Sequence, residues 1–129
     1  MNLLLDTVVF LWFIAGNDRL SEPTQSAVRD PENNVWLSVV SVWEISIKQK
    51  TGRLMLPERA WSYLATARER HGIESLALTE SAVAHLAKLP DVHKDPFDRM
   101  LVCQAIEHDL LLVTNDPAVC EYPVKTLWL

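Results

Sequence analysis

Short, uninterrupted apolar runs alternate with longer segments of helical pattern along the chain, and this alternation constrains the fold more than any other feature. The runs are NLLLD, VWLS, IESLAL, LLLVT and VKTLWL. Strands that are apolar at successive positions are typical of parallel sheets, because helices cover both faces of such sheets. The predicted order is β-α-α-β-α-α-β-α-α-β-β. The sequence therefore predicts an α/β fold with a mainly parallel central sheet and helices on both faces.

The length and the N-terminus predict one domain without a membrane segment. A chain of 129 residues has the usual size of a domain with a single core. The apolar start, MNLLLDTVVFLWFIAG, lacks the basic region of a signal peptide, and Asp6 interrupts it. It is also too short to cross a membrane. We therefore expect a single domain over residues 1–129, working in the cytoplasm.

The net charge limits the partners that this chain can bind directly. It is −5 at pH 7, whereas a protein that contacts nucleic-acid phosphates usually presents a basic face. A bound cation can supply the missing positive charge locally. Action on phosphates is therefore disfavoured without a metal ion and compatible with one.

Three acidic residues fall near the predicted carboxyl ends of strands, where open α/β sheets bind their ligands, and Asp98 can join them if its helix begins at the same edge. Asp6 ends the first strand, and Asp116 follows LLLVT directly. Glu44 lies about one turn into the helix after the second strand. Asp98 is in DPFDRML, where a helix begins before the fourth strand. The sequence predicts that these acids converge on one edge of the sheet.

Each of these acids also has a purely structural interpretation. Asp95 before Pro96 is a good helix N-cap, and Asp98 three residues later resembles the second member of a capping box. Glu44 fits a capping box as well, and it can pair with Lys48 one turn later. Asp98 shares a helix face with the apolar residues Leu101, Val102 and Ala105, so it is predicted to point inward. We therefore assign Asp98 to the site and Asp95 to the cap.

Carboxylates that converge need something to offset their repulsion. Two of them at about 5 Å, with an effective dielectric constant of about 20, repel by roughly 3 kcal/mol. Bound protons or a divalent cation would relieve this repulsion. An all-oxygen ligand set without cysteine or a suitable histidine pair favours Mg²⁺ or Mn²⁺, and such ions typically serve phosphoryl chemistry.

The chain resembles the PIN domain, and specifically the VapC-type toxins of bacterial toxin–antitoxin pairs. The resemblance is carried by LLLDT, SVVSVWEISIKQKTGRLMLP, HKDPFDRMLVCQA and LLLVTNDPAVCEYPVKTLWL, in that order. It extends over essentially the whole chain. It implies a metal-dependent ribonuclease with an acidic quartet that binds Mg²⁺ or Mn²⁺. Carried over by position, the quartet is Asp6, Glu44, Asp98 and Asp116.

The resemblance also implies partners and roles. We expect an RNA substrate, a small antitoxin that binds over the active-site groove, and a homodimer. Our own hypothesis is that Asp6 and Asp98 hold the metal, with Asp116 helping directly or through water, and that Glu44 orients or deprotonates the attacking water. Relatives often carry histidine where this chain has Val8, so we expect altered activity or substrate preference. Further candidates for contact with the substrate or support of the site are Thr7, Ser38, Lys48, Arg99 and Thr114.

Three other functional classes compete with this interpretation. An aspartyl-nucleophile phosphatase would need a second aspartate two residues after Asp6, where Val8 stands. A phospho-receiver module would need an aspartate at the end of the central strand, where the chain has Thr79. A catalytically silent PIN-like binding module is compatible with the sequence. It would not depend on the acids, so an Asp6→Asn substitution distinguishes it from an enzyme.

Overall fold

The computed structural model describes all 129 residues as seven α-helices around five strands. The strands are β1 (Asn2–Leu5), β2 (Asn34–Ser38), β3 (Glu74–Leu76), β4 (Leu111–Val113) and β5 (Thr126–Leu127). The helices are α1 (Thr7–Ala15), α2 (Glu22–Arg29), α3 (Val39–Lys50), α4 (Ala60–His71), α5 (Glu80–Val83), α6 (Pro96–His108) and α7 (Pro117–Cys120). A 3₁₀ helix over Ala84–Lys88 continues α5.

The five strands form one sheet in the order β3-β2-β1-β4-β5, and every pairing is parallel. The central strand, β1, pairs with β2 on one side and with β4 on the other. All carboxyl ends therefore lie along one edge. The predicted α/β class with a mainly parallel sheet is confirmed.

Successive side chains of β1 enter two different cores, one on each face of the sheet. Leu3 and Leu5 belong to a core cluster with Phe10 of α1, whereas Leu4 packs in a second cluster with Leu101 of α6. All five side chains are essentially inaccessible to solvent. Each such side chain stabilises the fold by roughly 1.5–3 kcal/mol relative to its exposed state. Burial on both faces explains why NLLL lacks any apolar–polar alternation.

Several elements differ from the predictions. The strand predicted in VKTLWL is limited to Thr126–Leu127. The strand predicted in IESLAL is limited to Glu74–Leu76, because β3 is an edge strand that pairs only with β2. The segment TESAVAHLAKLP, one of the helical segments in the predicted order, changes to 3₁₀ geometry after Val83, as often happens in the last turns of helices. The short helix α7, which Asp116 caps, was not predicted. No helix of the structure is long and apolar enough to cross a membrane.

Candidate active site

The carboxyl edge of the sheet carries a small acidic cleft of about 240 Å³. Asp6 reaches it from the end of β1, Glu44 from α3, Asp98 from the first turn of α6 and Asp116 from the start of α7. The structure therefore brings the four acids predicted for the site into one cleft. The remaining lining residues are Thr7, Val8, Leu11, Lys48 and Asp95.

Asp6 is the most deeply set aspartate of the cleft. It occupies the N-cap position of α1, yet its side chain makes no capping hydrogen bond, which leaves the carboxylate directed elsewhere. The Thr114 hydroxyl donates to Asp6 Oδ2 at 2.8 Å, and the residue is only 6% exposed. Burial raises the pKa of Asp6, and the charges of Glu44 and Asp116 add to the rise. Hydrogen bonds from Thr114 and from the Thr7 backbone oppose it without cancelling it.

Asp95 and Asp98 have different roles at the start of α6. Asp95 Oδ1 accepts hydrogen bonds from the backbone N–H groups of Phe97 at 2.9 Å and Asp98 at 3.2 Å, so Asp95 is the helix cap. The Asp98 side chain does not cap the helix and is only 17% exposed. Burial raises the pKa of Asp98 to about 7, with further contributions from the charges of Asp6, Asp95 and Glu44.

Glu44 contributes a buried carboxylate with one free oxygen. Lys48 Nζ lies 2.6 Å from Glu44 Oε2, which confirms the pairing expected one turn apart on a helix. Glu44 Oε1 is buried and has no hydrogen-bond partner. Leaving a buried polar atom unpaired costs about 1–3 kcal/mol, so such atoms are uncommon in folded proteins. This unpaired acceptor is compatible with a cation or a polar ligand in the cleft.

Asp116 and Thr114 connect the end of β4 to the cleft. Asp116 Oδ1 accepts a hydrogen bond from the Ala118 backbone at 2.9 Å and so caps α7. The Asp116 backbone N–H donates to Thr114 Oγ1 at 3.1 Å, and the same hydroxyl donates to Asp6. Thr114 is 1% exposed. It therefore fixes two acids of the cleft relative to each other.

Replacing Thr114 by valine keeps the shape of the side chain and removes its hydroxyl. Asp6 then stays buried with one hydrogen bond fewer, and we expect the free energy of unfolding to fall by about 1–3 kcal/mol at pH 7. Urea denaturation measures this change. The matched control is Thr51→Val on the exposed end of α3, with an expected change within about 0.5 kcal/mol. Equal effects of the two substitutions would contradict a special role for Thr114.

The five additional predicted residues are placed differently. Thr7 and Lys48 line the cleft, and Thr7 shares a 2.8 Å hydrogen bond with Ser41. Thr114 is buried beneath the cleft, where it contacts Asp6. Ser38 has no exposed surface, because it caps α3 and bonds to the buried Gln104, so it is not a substrate contact in this structure.

Arg99, also predicted to meet phosphate, is not among the residues that line the acidic cleft. Its Nη1 donates to the Pro90 carbonyl at 3.1 Å and to the Tyr122 hydroxyl at 3.2 Å. It lines a neighbouring groove together with His93 and Lys94. The guanidinium group is thus already engaged in holding a loop against α6.

Sequence reasoning missed His93 and Tyr122. His93 Nε2 lies 3.3 Å from Asp98 Oδ2, and His93 Nδ1 lies 3.1 Å from the Tyr122 hydroxyl. Both residues lie outside the regular elements, 29 positions apart. The only signal was the closeness of His93 to the DPFDR segment in sequence.

The acids have the right chemistry for a hard cation, although they do not form a coordination sphere in this structure. No three His, Cys, Asp or Glu side chains are arranged to hold one ion. Instead, Lys48 pairs with Glu44, and Asp116 caps α7. The all-oxygen donors and the unpaired Glu44 Oε1 fit Mg²⁺ or Mn²⁺, which would offset the mutual repulsion of the carboxylates.

Comparisons with known proteins agree with this fold. A model of the PIN domain family matches residues 3–125. Ribonuclease VapC22 of Mycobacterium tuberculosis is 30% identical over 114 residues, which cover 88% of this chain and 85% of that protein. Ribonuclease VapC16 of the same organism is 36% identical over 62 residues, which cover 48% of this chain and 44% of that protein.

The solved structures include a close match over the full length. The crystal structure of VapBC2 from Rickettsia felis, bound to a DNA fragment from the promoter, aligns with a TM-score of 0.73. The alignment covers 100% of both chains at 17% sequence identity, and at that identity it bears on the fold alone. The family match over nearly the whole sequence and the VapC22 relative show that this chain is a member of the PIN domain family.

Proposed function

We propose that this protein is a metal-dependent endoribonuclease and the toxin of a toxin–antitoxin pair. The observation that carries the proposal is the convergence of Asp6, Glu44, Asp98 and Asp116 on one cleft at the carboxyl edge of the sheet. Ribonuclease VapC22, which is similar over most of the chain, supports RNA as the substrate. An RNA substrate is consistent with activity in the cytoplasm.

Three aspartates are the proposed ligands of Mg²⁺ or Mn²⁺: Asp6, Asp98 and Asp116. The cation would neutralise charge that develops on the phosphate and would make a nearby water more acidic. The cation would also offset the negative charge of the cleft, which repels the RNA backbone. Thr114 keeps the Asp6 carboxylate in place through its 2.8 Å hydrogen bond.

Glu44 is the proposed general base. The Glu44 side chain, which lines the cleft, would accept a proton from the attacking water as the water oxygen bonds to phosphorus, and the bond from phosphorus to the opposite ester oxygen breaks. The proton that the departing oxygen requires comes from solvent. Lys48 pairs with Oε2 of Glu44, and it is the one cationic side chain that lines the cleft. It would contact a phosphate of the RNA.

The exposed apolar residues at the rim of the cleft are consistent with the binding of a protein partner. Val8 lines the cleft and is 38% exposed, and Trp43 of α3 is 55% exposed. Trp43 packs edge-on against Phe97 at the start of α6, with the ring centroids 4.8 Å apart. Exposed tryptophan beside an acidic cleft suits a small antitoxin that covers the site with apolar and basic groups. A homodimer is proposed from the resemblance to VapC-type toxins alone.

Cleavage of a mixed pool of structured RNA is the experiment that tests this function. We expect the purified protein to cleave with Mn²⁺ or Mg²⁺, and we expect EDTA to abolish the cleavage. Asp6→Asn should remove the activity, because the amide lacks the charge that binds the cation. Activity in EDTA, or full activity in Asp6→Asn, would refute the metal-dependent mechanism. No cleavage of any RNA under any condition would favour the binding-module alternative.

A further inference from the structure

The imidazole of His93 lies between a carboxylate of the acidic cleft and a buried phenol. On one side, His93 Nε2 is 3.3 Å from Asp98 Oδ2. On the other side, Nδ1 is 3.1 Å from the hydroxyl of Tyr122, and the two rings meet edge-on at 5.4 Å between centroids. Tyr122 is 3% exposed, so its hydroxyl depends on partners within the protein.

The contacts of the Tyr122 hydroxyl favour the tautomer of His93 that carries its proton on Nε2. The hydroxyl oxygen accepts from Arg99 Nη1 at 3.2 Å and from the backbone N–H of His93 at 3.4 Å. Its own proton can go to His93 Nδ1 at 3.1 Å or to the His93 carbonyl at 3.3 Å, and Nδ1 is the nearer acceptor. With Nδ1 as acceptor, the neutral ring carries its proton on Nε2, the nitrogen that faces Asp98.

The Nε2 atom of His93 is buried but makes no hydrogen bond, which is uncommon for a polar atom. It has no aligned hydrogen-bond partner, although the Asp98 carboxylate lies within reach. A small rotation of either side chain would align the donor with Oδ2. A buried donor kept next to a single carboxylate oxygen is best explained by an interaction with that carboxylate.

We propose that His93 is a positioning residue for Asp98: its Nε2–H donates to one carboxylate oxygen and leaves the other to face the cleft. This inference rests on the proposed function, in which Asp98 is a metal ligand. Carboxylates that bind metals are usually oriented by hydrogen bonds of this kind, and removal of such a partner typically weakens metal affinity by about 10–100-fold.

Arg99 and Tyr122 hold His93 in this position. Arg99 Nη1 donates to the carbonyls of Pro90 and His93 as well as to the Tyr122 hydroxyl. Its guanidinium carbon lies 5.8 Å from the Tyr122 ring centroid, which is a cation–π distance. These contacts fix the loop that carries His93 onto the same helix that carries Asp98. Arg99 is thereby assigned to the support of the site instead of contact with RNA.

The test is the affinity of the full chain for Mn²⁺, measured by titration calorimetry without RNA. His93→Leu removes the donor, and we expect Mn²⁺ binding to weaken by about 10–100-fold. His93→Gln places an amide N–H near the position of Nε2, and we expect it to recover most of the affinity. The matched control is His85→Leu, because His85 makes a 2.9 Å contact with Glu107 at the other end of α6, outside the acidic cleft.

The outcomes separate this inference from the proposed function. Unchanged affinity in His93→Leu, or equal weakening in His93→Leu and His93→Gln, would overturn the positioning role of His93 alone. Absence of Mn²⁺ binding by the unaltered protein would overturn both proposals. Tyr122→Phe removes only the hydroxyl that contacts His93 Nδ1, so it tests the positioning of His93 even if His93→Leu fails to fold. We expect Mn²⁺ binding to weaken in this variant as well, and unchanged affinity would contradict the positioning role.

Discussion

Asp98→Asn is expected to reduce kcat/KM for RNA cleavage by more than about 100-fold, because the loss of even an indirect partner of a metal costs about 10–100-fold. The amide keeps the size of the carboxyl group and removes its charge. The Asp98 side chain is not used to cap α6, so the helix should remain intact. Initial rates of cleavage at several Mn²⁺ concentrations measure the effect.

Asp95→Asn is the control for this prediction, three residues away on the same cleft. Asparagine caps helices about as well as aspartate, so α6 should still begin at Pro96. The charge of Asp95 contributes to the raised pKa of Asp98, and its removal makes Asp98 easier to ionise. Activity close to that of the unaltered protein is therefore expected. Equal losses in the two variants would mean that the cleft does not distinguish Asp98 from Asp95.

The fold was predictable because each strand leaves a strong local pattern. Leu3, Leu4 and Leu5 are all buried, two on one face of the sheet and one on the other, and only a sheet covered on both faces permits such a run. The placement of Asp98 was predictable for a similar reason, since Leu101 and Val102 define the inward face of α6. Patterns within a single element were sufficient for both conclusions.

The residues that hold the side chains of the cleft in place were less predictable, because they meet through contacts between segments that are distant in the sequence. Tyr122 meets His93 across 29 residues, and neither lies in an element with a periodic pattern. Ser38 was a candidate for the site, but Gln104, which lies 66 residues further along the chain, accepts the hydrogen bond from its hydroxyl within the protein. The four-residue helix α7 is too short to show periodicity. Only tertiary packing determines these features.

Asp98 is expected to make the thermal stability of the metal-free protein fall as the pH rises from about 4 to about 7. The pKa of Asp98 is raised from 3.8 to about 7 in the folded state. Between those values the folded protein keeps a proton that the unfolded chain has lost, so raising the pH favours unfolding. The raised pKa of Asp6 acts in the same direction. Thermal melts in EDTA across this pH range measure the slope.

Asp98→Asn separates the contribution of this carboxyl group to the pH dependence of stability from the contributions of the other titratable groups. Its metal-free melting temperature should exceed that of the unaltered protein at pH 8. The difference should shrink as the pH falls towards the unfolded-state pKa of 3.8, because the unfolded chain then also begins to bind the proton. If the melting temperature of Asp98→Asn depends on pH as steeply as that of the unaltered protein, the Asp98 carboxyl group does not cause the pH dependence.

Mn²⁺ should oppose the pH trend, because the cation binds the ionised carboxylates and competes with protons for them. At about 1,000 times its dissociation constant, a ligand stabilises the folded state by about 4 kcal/mol. We therefore expect a given Mn²⁺ concentration to raise the melting temperature more at pH 8 than at pH 5.5, and to raise it far less in Asp98→Asn. A gain that is equal at both pH values would mean that Mn²⁺ binds without displacing the Asp98 proton. In that case Asp98 would not be one of its ligands.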